Sequence, residues 1–203
     1  LVDQLLEIQQ ERERLSKRNR SLEWKLRNPD AKDGERDFLE EQLDDSPQSM
    51  SELFDRMTQG KYESVTRYVV LSDPNAMVDD IMKLEELHGS RYVAAFWSYI
   101  LVLRDYMRAR ESGDFSGGNV HDYLANPPDG YRTCSASRHK SNESDTVKGN
   151  EKMRRERTRP VPTEVDPRGE VEMWAHFAPT HCDQNAPRMH YYPDTEKTRK
   201  VYI

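Results

Sequence analysis

Tyr92-Val-Ala-Ala-Phe-Trp-Ser-Tyr-Ile-Leu-Val-Leu-Arg-Asp-Tyr-Met107 is the most apolar stretch of the chain. Its large side chains, Tyr92, Val93, Phe96, Tyr99, Ile100, Leu103, Tyr106 and Met107, recur at spacings of about three and four, the period of a helix face. Ser90 before it reads as an N-cap and Gly113 after it as a stop, so the spacing predicts a helix reaching Ser112. An element this rich in aromatic and branched residues is expected to be the core on which the rest packs, and its aromatic stripe reads as packing.

Helix punctuation continues upstream of this stretch. Ser46-Pro47 reads as a cap with proline at the first helical position, followed by an apolar face of Met50, Leu53, Phe54 and Met57 and a stop at Gly60. Lys61 to Ser72 is compatible with helix or strand, with helix preferred. Asp73-Pro74 opens a further helix bearing Met77, Val78, Ile81, Leu84 and Leu87, closed by Gly89. Three or four capped helices between residues 44 and 125 predict a small helical bundle.

The first residues carry a seven-residue repeat. Leu1, Ile8, Leu15 and Leu22 form one column, and Leu5, Arg12, Asn19 and Leu26 form a second, offset by four. Leucine at d with one asparagine at a favours two parallel strands, so residues 1–43 are expected to form a dimeric coiled coil. Arg12 weakens the seam and leaves antiparallel pairing open. A single amphipathic helix packed on its own chain is the alternative. The repeat resembles the leucine zippers of transcription factors, but here the basic residues Arg12, Arg14, Lys17, Arg18 and Arg20 lie within the zipper and not ahead of it, so the DNA-binding half of that pattern is missing.

Residues 126–168 turn to Pro, Ser, Asn and charge and read as a flexible basic linker. Residues 169–203 hold candidate strands around Val171, Met173, Ala175 and Phe177, at Met189-His-Tyr-Tyr192, and from Thr198 to Ile203, which predict a small β-element. A strand flush with Ile203 suggests that this element continues in further sequence, and the absence of an initial Met that the native start is missing. The expected fold class is thus mainly α: coiled coil, helical bundle, basic linker and small β-element.

Hydrophobic residues are 34% of the 203 and charged residues 33%, with a net charge of −6. That balance opposes indiscriminate polyanion binding by the whole chain. No run approaches the roughly 18 apolar residues of a membrane span, no secretory signal is recognisable at Leu1, and two lone cysteines, Cys134 and Cys182, make no disulfide framework. A cytoplasmic setting is expected. No phosphate-cradling or dinucleotide motif occurs, so no cofactor is expected.

Ligand-type side chains gather only at His176, His181, Cys182 and His190, with Cys134 and His139 further back. His176 and His181 match half of a zinc pattern, without a matching cysteine pair. Cys182 with a neighbouring histidine would suit a thiol hydrolase only if a third group oriented them. Arg132 and His139 resemble the Arg-x4-6-His motif of HEPN ribonucleases, themselves helical bundles; here the motif falls in the least helical region, so the activity is not carried over.

The basic arm offers Lys152, Arg154, Arg155, Arg157 and Arg159 within residues 148–159 for phosphate contacts, without aromatic residues for base stacking. With an oligomerisation seam and no catalytic constellation, the sequence favours a non-enzymatic, homodimeric scaffold protein that pairs through Leu1, Leu5, Ile8, Leu15, Asn19, Leu22 and Leu26 and engages another protein. A nucleic-acid regulator using the arm is the first alternative, and a metal-binding or hydrolytic domain around His176, His181 and Cys182 the second.

Overall fold

The computed structural model describes Ile8, Arg12, Leu15 and residues 43–203 other than His181, Cys182 and Gln184. Its helices are α1 (Met50–Thr58), α2 (Glu63–Thr66), α3 (Pro74–His88), α4 (Val93–Ser112), α5 (Val120–Ala125), α6 (Asp145–Gly149) and α7 (Glu151–Arg155). The strands are β1 (Val69–Val70), β2 (His139–Lys140), β3 (Thr158–Pro160), β4 (Glu170–Glu172), β5 (Ala175–Phe177), β6 (Met189–Asp194) and β7 (Lys200–Tyr202).

These strands correct the expected fold class. The protein is mixed α/β, with a five-stranded sheet ordered β1-β7-β6-β5-β2 and a two-stranded β3-β4 ribbon. β1 runs parallel to β7, and the remaining neighbours are antiparallel. The supposed linker is folded: it supplies β2 to the sheet and β3 to the ribbon and holds α6 and α7. Its few apolar residues suffice because they are shared. Val161 and Val165 pack with Val171, Met173 and Tyr202 into a second small core.

α4 is central, as its composition demands, and buried nearly all round: Phe96, Trp97, Tyr99, Ile100, Leu101, Val102, Leu103, Tyr106 and Met107 are all in the core. A helix apolar on every side must be covered on every side. Towards the sheet, the Tyr99 ring stacks on Phe177 of β5 with centroids 4.6 Å apart. Trp97 donates its Nε1–H to the Leu43 carbonyl at 2.9 Å, tying residues near the start of the described segment to the core. Tyr106, Phe115 and Tyr123 meet edge-on or tilted and fasten α5 against α4.

Two polar residues are sealed into this core. Asp105 is fully buried and Arg104 nearly so, with Arg104 Nη2 2.6 Å from Asp105 Oδ1. The other carboxylate oxygen of Asp105 accepts from the Arg132 backbone N–H at 2.7 Å, fixing the chain that leads towards β2. Arg132 itself reaches Asp44 at 2.7 Å.

Local signals hold at several helix ends. Asp73 accepts from Ala76 N–H as the cap of α3, and Gly113 closes α4 in the left-handed conformation at φ 82°. Others shift. The cap of α1 is Ser49, three residues beyond Ser46, because Ser49 Oγ accepts from Glu52 N–H while the Glu52 carboxylate reaches back to Gln48 N–H. α4 starts at Val93 after a turn at Ser90, not directly from a Ser90 cap. The Lys61–Ser72 stretch divides into the short helix α2 and strand β1, since Val69 and Val70 pair with Val201 and Tyr202 of a distant strand.

Of the expected coiled-coil seam, Leu1, Leu5, Asn19, Leu22 and Leu26 lie outside the described residues. Ile8, Arg12 and Leu15 are helical, with Ile8 64% and Leu15 48% exposed. Among the described residues, no helix is long and apolar enough to cross a membrane.

Candidate metal centre

β5 and β6 are antiparallel, and their register sets His176 directly opposite His190. Directly opposed residues project from the same face of a sheet, and the two imidazole centroids are 4.9 Å apart. On the other side of β5, β2 places Lys140 opposite His176, and the chain leaving β2 brings in Glu143 just before Ser144 caps α6. Glu143, His176 and His190 thereby offer one ligand atom each within 4.8 Å of one another.

The hydrogen bonds around this group decide how its nitrogens point. The Met173 carbonyl accepts from His190 Nδ1–H at 3.0 Å. A neutral ring with Nδ1 protonated carries its lone pair on Nε2, and that atom lies 4.0 Å from Glu143 Oε1. His176 turns Nδ1 to the group: it lies 3.8 Å from Glu143 Oε1 and 3.3 Å from the Trp174 carbonyl, donating to that carbonyl when Nδ1 is protonated and offering a lone pair to the site when the proton is on Nε2. A backbone carbonyl holding the imidazole N–H away from the site, as Met173 does for His190, is a usual outer support of a metal-ligating histidine.

Burial keeps both rings uncharged. It pushes the pKa of His190 down to about 4, assisted by the charge of His176, and it also lowers His176. Burial alone would raise the Glu143 carboxyl, yet its hydrogen bond from Arg157 and the neighbouring charges hold it below the ordinary value. The site is therefore one carboxylate beside neutral imidazoles at neutral pH. The Glu143 and His176 side chains are 7% and 6% exposed and His190 is 22% exposed, so His190 marks the accessible side.

Arg157 completes the surroundings. Its Nε donates to Glu143 Oε1 at 2.8 Å, its Nη1 donates to the Met153 carbonyl at 2.8 Å, and its own carbonyl accepts from Met173 N–H at 2.9 Å. Met173 thus positions both Arg157 and His190.

The sequence reading singled out His176 and His190, and the structure brings them together. His181 and Cys182 lie outside the described residues. Glu143 was missed: a lone acid in a polar stretch bears no spacing relation to either histidine. The one available signal was strand register, which would have set the two histidines side by side. Cys134 is buried. The two residues of the HEPN-like motif are each engaged apart from the other, Arg132 with Asp44 and His139 Nε2 with the Tyr191 hydroxyl at 2.6 Å.

Three arginines of the basic arm have acidic neighbours within the chain. Arg154 pairs with Glu172 at 3.5 Å, Arg155 with Glu151 at 3.8 Å, and Arg157 with Glu143. Lys152 on α7 and Arg159 on β3 are exposed.

No protein-family model, curated protein sequence or solved structure matches this chain.

Proposed function

We propose that this is a metal-dependent protein in which Glu143, His176 and His190 hold a divalent transition-metal ion, zinc foremost, for hydrolytic chemistry. One observation carries the reading: Glu143, His176 and His190 each offer a ligand atom, and these atoms lie within 4.8 Å of one another in a mostly buried site. Arg157 satisfies the carboxylate from one side, and the neutral imidazole of His190, with Nδ1–H held by the Met173 carbonyl, brings its Nε2 lone pair to the same group. Two imidazoles and one carboxylate suit zinc and its neighbours better than calcium or magnesium, which seek all-oxygen shells.

Three protein ligands leave a coordination position open, the arrangement of catalytic zinc. A metal-bound water there would reach a pKa near 7 and serve as a nucleophile. Substrate would approach past His190, the most exposed of the three. A reducing cytoplasmic setting goes with this reading, two lone cysteines making no disulfide framework.

The test is zinc stoichiometry by equilibrium dialysis and elemental analysis. The intact chain is expected to retain about one zinc, and His176→Ala and His190→Ala well below one. Unchanged retention in both variants refutes the assignment.

A second reading, self-association through residues 1–43, is favoured by Ile8 and Leu15, helical residues of one heptad column that stay exposed within the single chain. Light scattering is expected to give a dimer for the intact chain and a higher oligomer for Asn19→Leu, because an asparagine at an a position selects two strands. A monomer in both cases rules this reading out.

A further inference from the structure

The Glu143 oxygen that faces the two imidazoles is already held by a cation. Oε1 lies 3.8 Å from His176 Nδ1 and 4.0 Å from His190 Nε2, and it is the same Oε1 that accepts from Arg157 Nε at 2.8 Å. A zinc–carboxylate bond measures about 2.0 to 2.2 Å. An ion shared by Glu143 and both imidazoles would therefore sit within a few ångströms of the guanidinium. Repulsion between a divalent ion and a guanidinium at that range is strong in a site this poorly hydrated.

The guanidinium has somewhere else to go. Arg157 Nη1 is already 4.0 Å from the Glu156 carboxylate, whose side chain is 58% exposed. Arg157 also occupies the joint between α7 and β3, where its side chain holds the Met153 carbonyl and its backbone pairs with Met173. Moving that side chain disturbs the end of α7 and the start of the β3-β4 ribbon.

Resting on the metal reading above, we infer that Arg157 is the resident counter-cation of the site: metal entry and the Arg157–Glu143 bond exclude one another. Two consequences follow. Arg157 sets a threshold that only nitrogen-seeking transition ions pass, since magnesium and calcium draw little from the imidazoles and cannot offset the loss of the ion pair. Metal entry also releases the α7–β3 joint, so occupancy of a buried site is reported at the basic surface of residues 151–159. The linkage is reciprocal: whatever holds Arg157 away from Glu143 raises metal affinity by the same factor.

The experiment compares the intact chain with Arg157→Gln, which removes the charge but keeps a donor for Glu143. Zinc affinity is read by competition with a chromogenic chelator, and amide hydrogen exchange of residues 153–160 is followed with and without saturating zinc. Arg157→Gln is expected to bind zinc about ten-fold or more tightly, the scale of neighbouring-group effects at metal sites, and exchange in the intact chain is expected to quicken on loading. Weaker binding by Arg157→Gln would make Arg157 a supporting partner and overturn the inference, with the metal reading intact. Unchanged exchange in zinc-saturated intact chain also overturns it, and this measurement decides the matter if the variant does not fold. Failure of the intact chain and of Arg157→Gln alike to bind zinc defeats the metal reading itself.

Discussion

Asp105→Ala is expected to lower the free energy of unfolding by about 3–5 kcal/mol, the scale for removing one partner of a buried ion pair. Arg104 is only 1% exposed, and its guanidinium would lose the carboxylate 2.6 Å from its Nη2 with little water to replace it. The Arg132 backbone N–H would also lose its acceptor, releasing the chain that feeds β2 and through it Glu143. Urea unfolding should show a lower midpoint with an unchanged slope. A loss below about 1 kcal/mol would mean that water replaces the carboxylate, contrary to its complete burial.

The second large effect is acid sensitivity at His139. Its side chain is 3% exposed, its Nε2 bonds the Tyr191 hydroxyl, and its Nδ1 has no hydrogen-bond partner among the described residues. Burial, and then the charges of His121, His176 and Lys140, push its pKa down from 6.5 to about 4. The unfolded chain therefore binds this proton more readily than the folded one. The stability held by the neutral ring is complete above about pH 6.5 and drains away as pH falls towards 4, a loss on the order of 3 kcal/mol from this group between pH 7 and pH 4. His139→Phe keeps an aromatic ring beside Phe177, whose centroid is 5.0 Å away, and cannot titrate. Its acid-induced loss should be smaller than that of the natural chain by about the same 3 kcal/mol. Parallel pH profiles for the two proteins would assign the acid sensitivity elsewhere.

The parts of this molecule that were legible in its sequence are those specified locally. The helix through Tyr92–Met107 announces itself by length, apolar spacing and a terminal glycine, and Asp73-Pro74 is a start signal needing no distant partner. What escaped depends on pairing across the chain. β1 and β2 are two residues each, too short for any periodicity, and exist because β7 and β5 offer them hydrogen-bonding edges. The polar run after Asn126 looks like a linker because each of its elements is small and shares its apolar contacts with residues beyond 170. The same cause hid Glu143, whereas His176 and His190 were visible as residue types but not as a facing pair.

The parallel pairing of Val69–Val70 with Val201–Tyr202 bears on how the chain acquires its structure in time. α4 and its neighbouring helices make contacts close in sequence and can form as soon as they leave the ribosome. β1 has to wait for residues synthesised more than a hundred positions later, a long loop closure of the kind that slows folding. Until then Val69, fully buried in the finished sheet, stands uncovered. Newly made chains should therefore pass through a helical, sheet-poor intermediate with an exposed strand edge, and it is there, more than in the finished protein, that aggregation or chaperone capture would begin.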